Sequence, residues 1–140
     1  MSQDFWFLLL PGFSVMGFVS AVEPLRVANR FHADLYRWHV LSADGGPVLA
    51  SNGMSVNSDG ALEPLKKGDL LFVVAGFEPL RAVTPALVQW LRKLDRNGVT
   101  LGGIDTGSVV LAEAGLLDGR RATLHWEAID AFQESYPQLS

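Results

Sequence analysis

Val99-Thr-Leu-Gly-Gly-Ile-Asp-Thr-Gly-Ser108 decides the fold. Val99–Ile104 reads as a buried strand, the glycines permit a sharp turn, and Val109–Ala114 reads as the helix that follows. A strand that bends abruptly into a helix exposes one side chain beside free backbone N–H groups, which suits catalysis or anion binding. The exposed position holds Asp105, and the chain contains no cysteine. A carboxylate at this elbow in a thiol-free chain points to binding a small molecule rather than transforming one.

Outward from the elbow, short apolar strands alternate with helical segments. Phe5–Leu10 is stopped by Pro11-Gly12, and Leu70–Val74 is entered through Lys66-Lys-Gly-Asp69. Tyr36–Ser42 adds a strand, after which Asp44-Gly-Gly-Pro47 turns the chain. Val48–Ala50 and Met54–Val56 read as a small hairpin around Asn52-Gly53. Thr84 caps a helix that opens with Pro85, carries Leu87, Leu91 and Leu94 on one stripe, and closes at Asn97-Gly98. Val15 to Phe31 places Val15, Phe18, Val22, Leu25 and Ala28 at helical spacing. Pro24 interrupts that segment and predicts either a kink or a late start through a Ser20-Ala-Val-Glu23 capping box. Trp126–Tyr136, with Ile129 and Phe132 inward, is the last expected helix. Wholly apolar strands alternating with helices mean a parallel sheet covered on both faces. The expected fold is therefore a three-layer, doubly wound, flavodoxin-like α/β domain with a mainly parallel sheet. Ligands bind such sheets outside the carboxyl ends of the strands. That selects three loops: Pro11–Gly17, Ala75–Pro79 and Asp105–Ser108.

Composition narrows the function. The chain has 140 residues, 49% apolar and 19% charged, which suits one domain with a sizeable core. A net charge of −4 argues against a nucleic-acid surface on this chain. Without cysteine, thiol catalysis, disulfides and thiolate metal sites are all excluded. His32, His39 and His125 show no metal-ligand spacing, and Gly102, Gly103 and Gly107 match no phosphate-loop pattern. No metal or cofactor is expected. Phe5–Leu10 is too short to span a bilayer and lacks the basic flank of a secretory signal. A cytoplasmic protein without a membrane partner is the expectation.

The segment Gly103–Trp126, above all Leu111-Ala-Glu-Ala-Gly-Leu-Leu-Asp-Gly-Arg120, resembles one family. It is similar to the amidotransferase-like N-terminal domain, of the DJ-1/PfpI superfamily, found in AraC-type transcriptional regulators. Leu8–Phe13, Glu23–Asn29, Tyr36-Arg-Trp38 through Asn52-Gly53, and Phe72–Gly76 follow the same pattern. The Gly103-Ile-Asp-Thr-Gly107 variant resembles regulators of carnitine, glycine betaine and arginine catabolism. The resemblance implies that Asp105 stands where the superfamily has its elbow cysteine, and Gly17 where it has a supporting acid. It implies that His125 is retained beside the elbow, and that oxyanion donors would come from around Phe77 and Thr106. A hydrolase would thus have lost its nucleophile and its acid while keeping the cleft. Members of the family continue past the last helix into a helix-turn-helix DNA-binding region. Residues 1–140 are therefore expected to be one ligand-sensing domain, truncated at its C-terminus. DNA contact would belong to a region not in this chain, and self-association as a homodimer is implied.

Each candidate residue also has a bland reading. Asp105 either coordinates a cationic ligand or is a carboxylate satisfied by helix N-terminal N–H groups. His125 either bonds a ligand or is a junction histidine bonded to backbone, and the latter is preferred. Glu23 is a capping residue first and a pocket acid second, whereas Glu78 lies at a strand's carboxyl end as a pocket-rim candidate or a solvated loop charge. Trp6 and Trp90 read as core. Trp126 is the tryptophan most suited to wall a cationic ligand, which favours aromatic faces, with Phe13 and Phe77 facing it from their loops. Lys66-Lys67 and Arg120-Arg121 read as turn charges. The expected function is a non-catalytic sensor of a small nitrogen-containing metabolite. A diverged hydrolase, hydratase or chaperone, and a pure dimerisation module with a filled cleft, are the alternatives.

Overall fold

Side chains alternate across a strand, so an apolar strand can feed two cores at once. The computed structural model, which describes residues 3–31 and 35–116, is built on that division. In chain order the elements are β1 (Gln3–Leu9), α1 (Val15–Phe31), β2 (Tyr36–Leu41), β3 (Val48–Leu49), β4 (Ser55–Val56), β5 (Leu70–Ala75), α2 (Pro85–Arg96), β6 (Thr100–Asp105) and α3 (Gly107–Glu113). A 3₁₀ turn at Pro79–Ala82, which the apolar pattern does not announce, precedes α2. Four strands pair in parallel in the order β2-β1-β5-β6. This is the flavodoxin-like order, and its direction reverses between β1 and β5.

Leu8, Leu10, Leu71, Val73 and Ala75 pack with Leu87, Leu91 and Leu94 of α2 and with Val110 and Leu111 of α3. Phe7, Leu9 and Val74 point the other way, where Val15, Phe18, Val22 and Leu25 of α1 cover them. Trp6 and Trp90 pack against the first cluster, as the sequence suggests. The doubly covered α/β sheet is therefore as expected.

The α2 boundaries follow from local chemistry. Thr84 Oγ1 accepts a hydrogen bond from the Leu87 N–H at 3.1 Å, and Pro85 fills the first helical position. The expected hairpin also forms, with β3 antiparallel to β4 and the Asn52 side chain accepting from the Met54 N–H. One expectation is corrected. No late start occurs at Ser20, because α1 begins at Val15 and runs unbroken past Pro24. Ser14 Oγ accepts from the Gly17 N–H at 3.1 Å and caps the helix earlier. Packing of the apolar stripe from Val15 onward outweighs the hydrogen bond lost at proline, and Glu23 pairs with Arg26 instead of capping. The helix expected at Trp126–Tyr136 lies outside the described residues.

Where β1 and β2 begin, Asp4 Oδ1 lies 3.1 Å from His39 Nε2 and 3.1 Å from Arg37 Nε. The hydrogen bond with His39 lowers the Asp4 pKa; burial opposes this, and the Arg37 hydrogen bond and charge add to it.

Two outcomes follow. Leu91 is fully buried, so Leu91→Ala is expected to cost about 2–5 kcal/mol in urea unfolding. Because the folded Asp4 pKa is depressed, the unfolded chain takes up this proton first as the medium is acidified. Asp4 thus stabilises the protein above the ordinary carboxylate value of about 4 and stops doing so as pH falls through the depressed folded value. The stability gap between wild type and Asp4→Asn, measured by denaturant unfolding across pH, should be widest near neutrality and close in acid.

Candidate functional site

Three loops meet at the carboxyl edge of the sheet. The loop after β1 is anchored on both sides: Gly12 N–H donates to Leu49 O at 2.8 Å, and Phe13 forms an antiparallel bridge with Gly76. A Cβ at Gly76 would overlap the Gly12 carbonyl, so only glycine lets the two loops touch there. The third loop is the elbow. Gly107 lies flush against β5, where a Cβ would overlap the Val73 carbonyl, and the Thr106 hydroxyl donates to the Gly76 carbonyl. Thr106 is buried, and its hydroxyl clasps the elbow to the β5 loop.

The non-glycine residues at positive φ among those described are Asp105 (φ 57) and Glu78 (φ 53). Each costs on the order of 1 kcal/mol relative to glycine. They follow adjacent strands: Asp105 ends β6, paired with Ala75, and Glu78 stands just beyond the end of β5. Left-handed backbone at Asp105 carries the chain from strand into α3, so the elbow read from the sequence is present. Gly17 of α1 packs against the strand that leads into it, where a Cβ would lie 3.1 Å from Ile104 Cγ2, one residue before Asp105.

Between the carboxyl ends of β1 and β5, where the strand order reverses, lies an open cleft of about 390 Å³. Pro11, Gly12, Phe77, Glu78, Arg81 and Ala82 line it. Ligands bind doubly wound sheets at such a switch point. Arg81 Nη1 donates to Glu78 Oε2 at 2.7 Å, and both side chains are exposed. This hydrogen bond, followed by the carboxylate's charge, raises the Arg81 pKa further and keeps it cationic.

Of the residues expected in the site, Phe77 and Glu78 line the cleft, and Asp105 stands one strand farther along the same edge. Phe13 does not line the cleft. Its bridge to Gly76 turns the ring inward, where it is fully buried and meets Phe18 edge-on at 6.2 Å. His125 and Trp126 lie outside the described residues. Arg81 is a cleft residue that the sequence reading passed over; its signal was an opposite charge three residues after Glu78 across Pro79. Among the described residues, no group of three or more His, Asp or Glu could hold a metal ion, and no helix is long and apolar enough to cross a membrane.

Comparison with known proteins gives this geometry a lineage. The chain is 42% identical over 139 residues to the HTH-type transcriptional regulator GbdR of Pseudomonas aeruginosa, across 99% of this chain and 38% of that protein. It is 42% identical over 140 residues to the HTH-type transcriptional regulator GlxA of Rhizobium meliloti, across 99% of this chain and 43% of that protein. It therefore spans about two-fifths of the length of these curated regulators. A crystal structure of an AraC family transcriptional regulator from Pseudomonas putida superposes with a TM-score of 0.87 at 32% identity, covering 98% of this chain and 74% of that one. The sequence pattern of the DJ-1/PfpI family matches residues 5–138, and with a sheet of this order ending in this elbow, the chain belongs to that family.

Proposed function

We propose that this chain is the non-catalytic, effector-binding and dimerisation domain of an AraC-type transcriptional regulator that senses a small nitrogen-containing metabolite. The observation that carries the proposal is the elbow: backbone geometry suited to a nucleophile is retained at φ 57, but the residue is a carboxylate in a chain without cysteine. Asp105 takes the place of the family's cysteine, and Gly17, which abuts the strand carrying the elbow, takes the place of its acid. Without those groups the edge is left to bind. Asp105 or Glu78 matches the effector's positive charge, with Phe77 beside it and His125 and Trp126 as further contacts. The kinship with transcriptional regulators supports the same reading. DNA contact belongs to the part of such regulators that this chain does not match, and a cytoplasmic location follows from the role. Signalling requires the effector to bind one conformational or dimeric state better than the other, with coupling of about 1–3 kcal/mol.

The retained elbow also favours a second reading, a diverged hydrolase, and nucleophile chemistry separates the two. Aspartyl nucleophiles exist, so the test is direct. Purified protein should consume no amide, thioester or aldehyde at a rate that depends on residue 105; turnover lost in Asp105→Ala overturns the sensor proposal. In thermal-shift titrations with L-arginine, glycine betaine, L-carnitine and related amines, an effector at one hundred times its Kd should add about 2.7 kcal/mol of stability. No shift with any of them removes this effector class. For the elbow itself, Asp105→Gly should be neutral or stabilising, whereas Asp105→Val should cost about 1–2 kcal/mol or more, because β-branched residues resist positive φ.

A further inference from the structure

Glu78 and Arg81 hold each other at the mouth of the cleft, yet stability does not explain the arrangement. Their side chains are 66% and 81% exposed, and pairs so exposed contribute little to folding. Glu78 is also held in the left-handed region, and its side chain makes no capping hydrogen bond that would offset the strain. Residues held in sparsely populated backbone regions cluster at functional sites. Glu78 precedes the 3₁₀ turn and Arg81 lies within it, and the hydrogen bond between them holds both side chains at the cleft that both line. Phe77, 76% exposed, adds an aromatic face at the same mouth.

We infer that Glu78 and Arg81 form a two-headed recognition site for a zwitterion, Glu78 taking the ligand's cationic nitrogen and Arg81 its carboxylate. The inference rests on the proposal that the cleft holds the effector, and adds a requirement for a negative group. Among the described residues, Arg81 engages a partner through Nη1 alone, so its planar fork retains donors for a carboxylate. A zwitterion exchanges one internal ion pair for two external ones and leaves every charge matched. A plain amine gains Glu78 but strands Arg81 beside its own positive charge, and a plain carboxylate meets the reverse problem. Phe77 offers its ring to the cationic end. The pair therefore selects against ligands bearing one charge.

Isothermal titration with matched probes tests this: L-arginine against agmatine, and glycine betaine against choline, each second member lacking the carboxylate. At least one zwitterion should bind the wild-type protein, at least tenfold more tightly than its counterpart. Arg81→Gln should weaken that zwitterion at least tenfold without weakening the counterpart, and Arg81→Lys should restore part of the loss. Arg81 is exposed, so these variants should fold as wild type, checked by their melting temperatures. If agmatine or choline binds as tightly as its zwitterion, or Arg81→Gln binds the zwitterion as wild type does, the two-headed site is wrong while the sensor proposal stands. If no probe binds, both fall.

Discussion

The close approach of the loops leaving β1, β5 and β6 is the constraint on which the rest depends. Gly76 admits the carbonyl of Gly12, and Gly107 admits that of Val73, where any side chain would collide. The Thr106 hydroxyl then ties the elbow to Gly76. These contacts draw three strand ends into one edge and leave the cleft at the β1/β5 switch point open. A Cβ at Gly76 would force the β1 and β5 loops apart, and one at Gly107 would force α3 away from β5.

Rigidity behind this edge lets it carry strain. Leu8, Leu71 and Val73 are fully buried on one face of the sheet, and Phe7, Leu9 and Val74 on the other. With both faces locked, the strand ends have little freedom to relax, so Asp105 and Glu78 stay in left-handed conformations that an isolated peptide would leave. Strain at the edge and packing in the interior are two sides of one arrangement. The elbow holds a carboxylate at a strand-to-helix turn whose left-handed backbone the packed sheet behind it keeps in place.

Much of the scaffold was legible because its signals are local. Thr84-Pro85 and Asn97-Gly98 bracket α2 through capping and backbone preference alone, and Asn52-Gly53 closes the β3–β4 hairpin by turn chemistry. The elbow was equally plain, since a glycine-flanked residue between an apolar strand and an apolar helix leaves few geometries open. The start of α1 was not, because Ser14 and Ser20 both offer a cap and only packing against the sheet favours the earlier one. The direction of the Phe13 ring is not legible for a similar reason: a loop aromatic reads as cleft-facing until its bridge partner is known.

Local signals in the chain set the longer helices and the strands, their order, the two-sided burial of β1 and β5, and the thiol-free elbow, because periodicity, glycine and proline act within a few residues. Tertiary structure decided which loops share an edge, that Phe13 turns inward, and that Arg81 joins Glu78 over the cleft while Asp105 stands one strand away. Those outcomes follow from strand order, which is set by how distant segments pack together and is written in no single stretch of the chain.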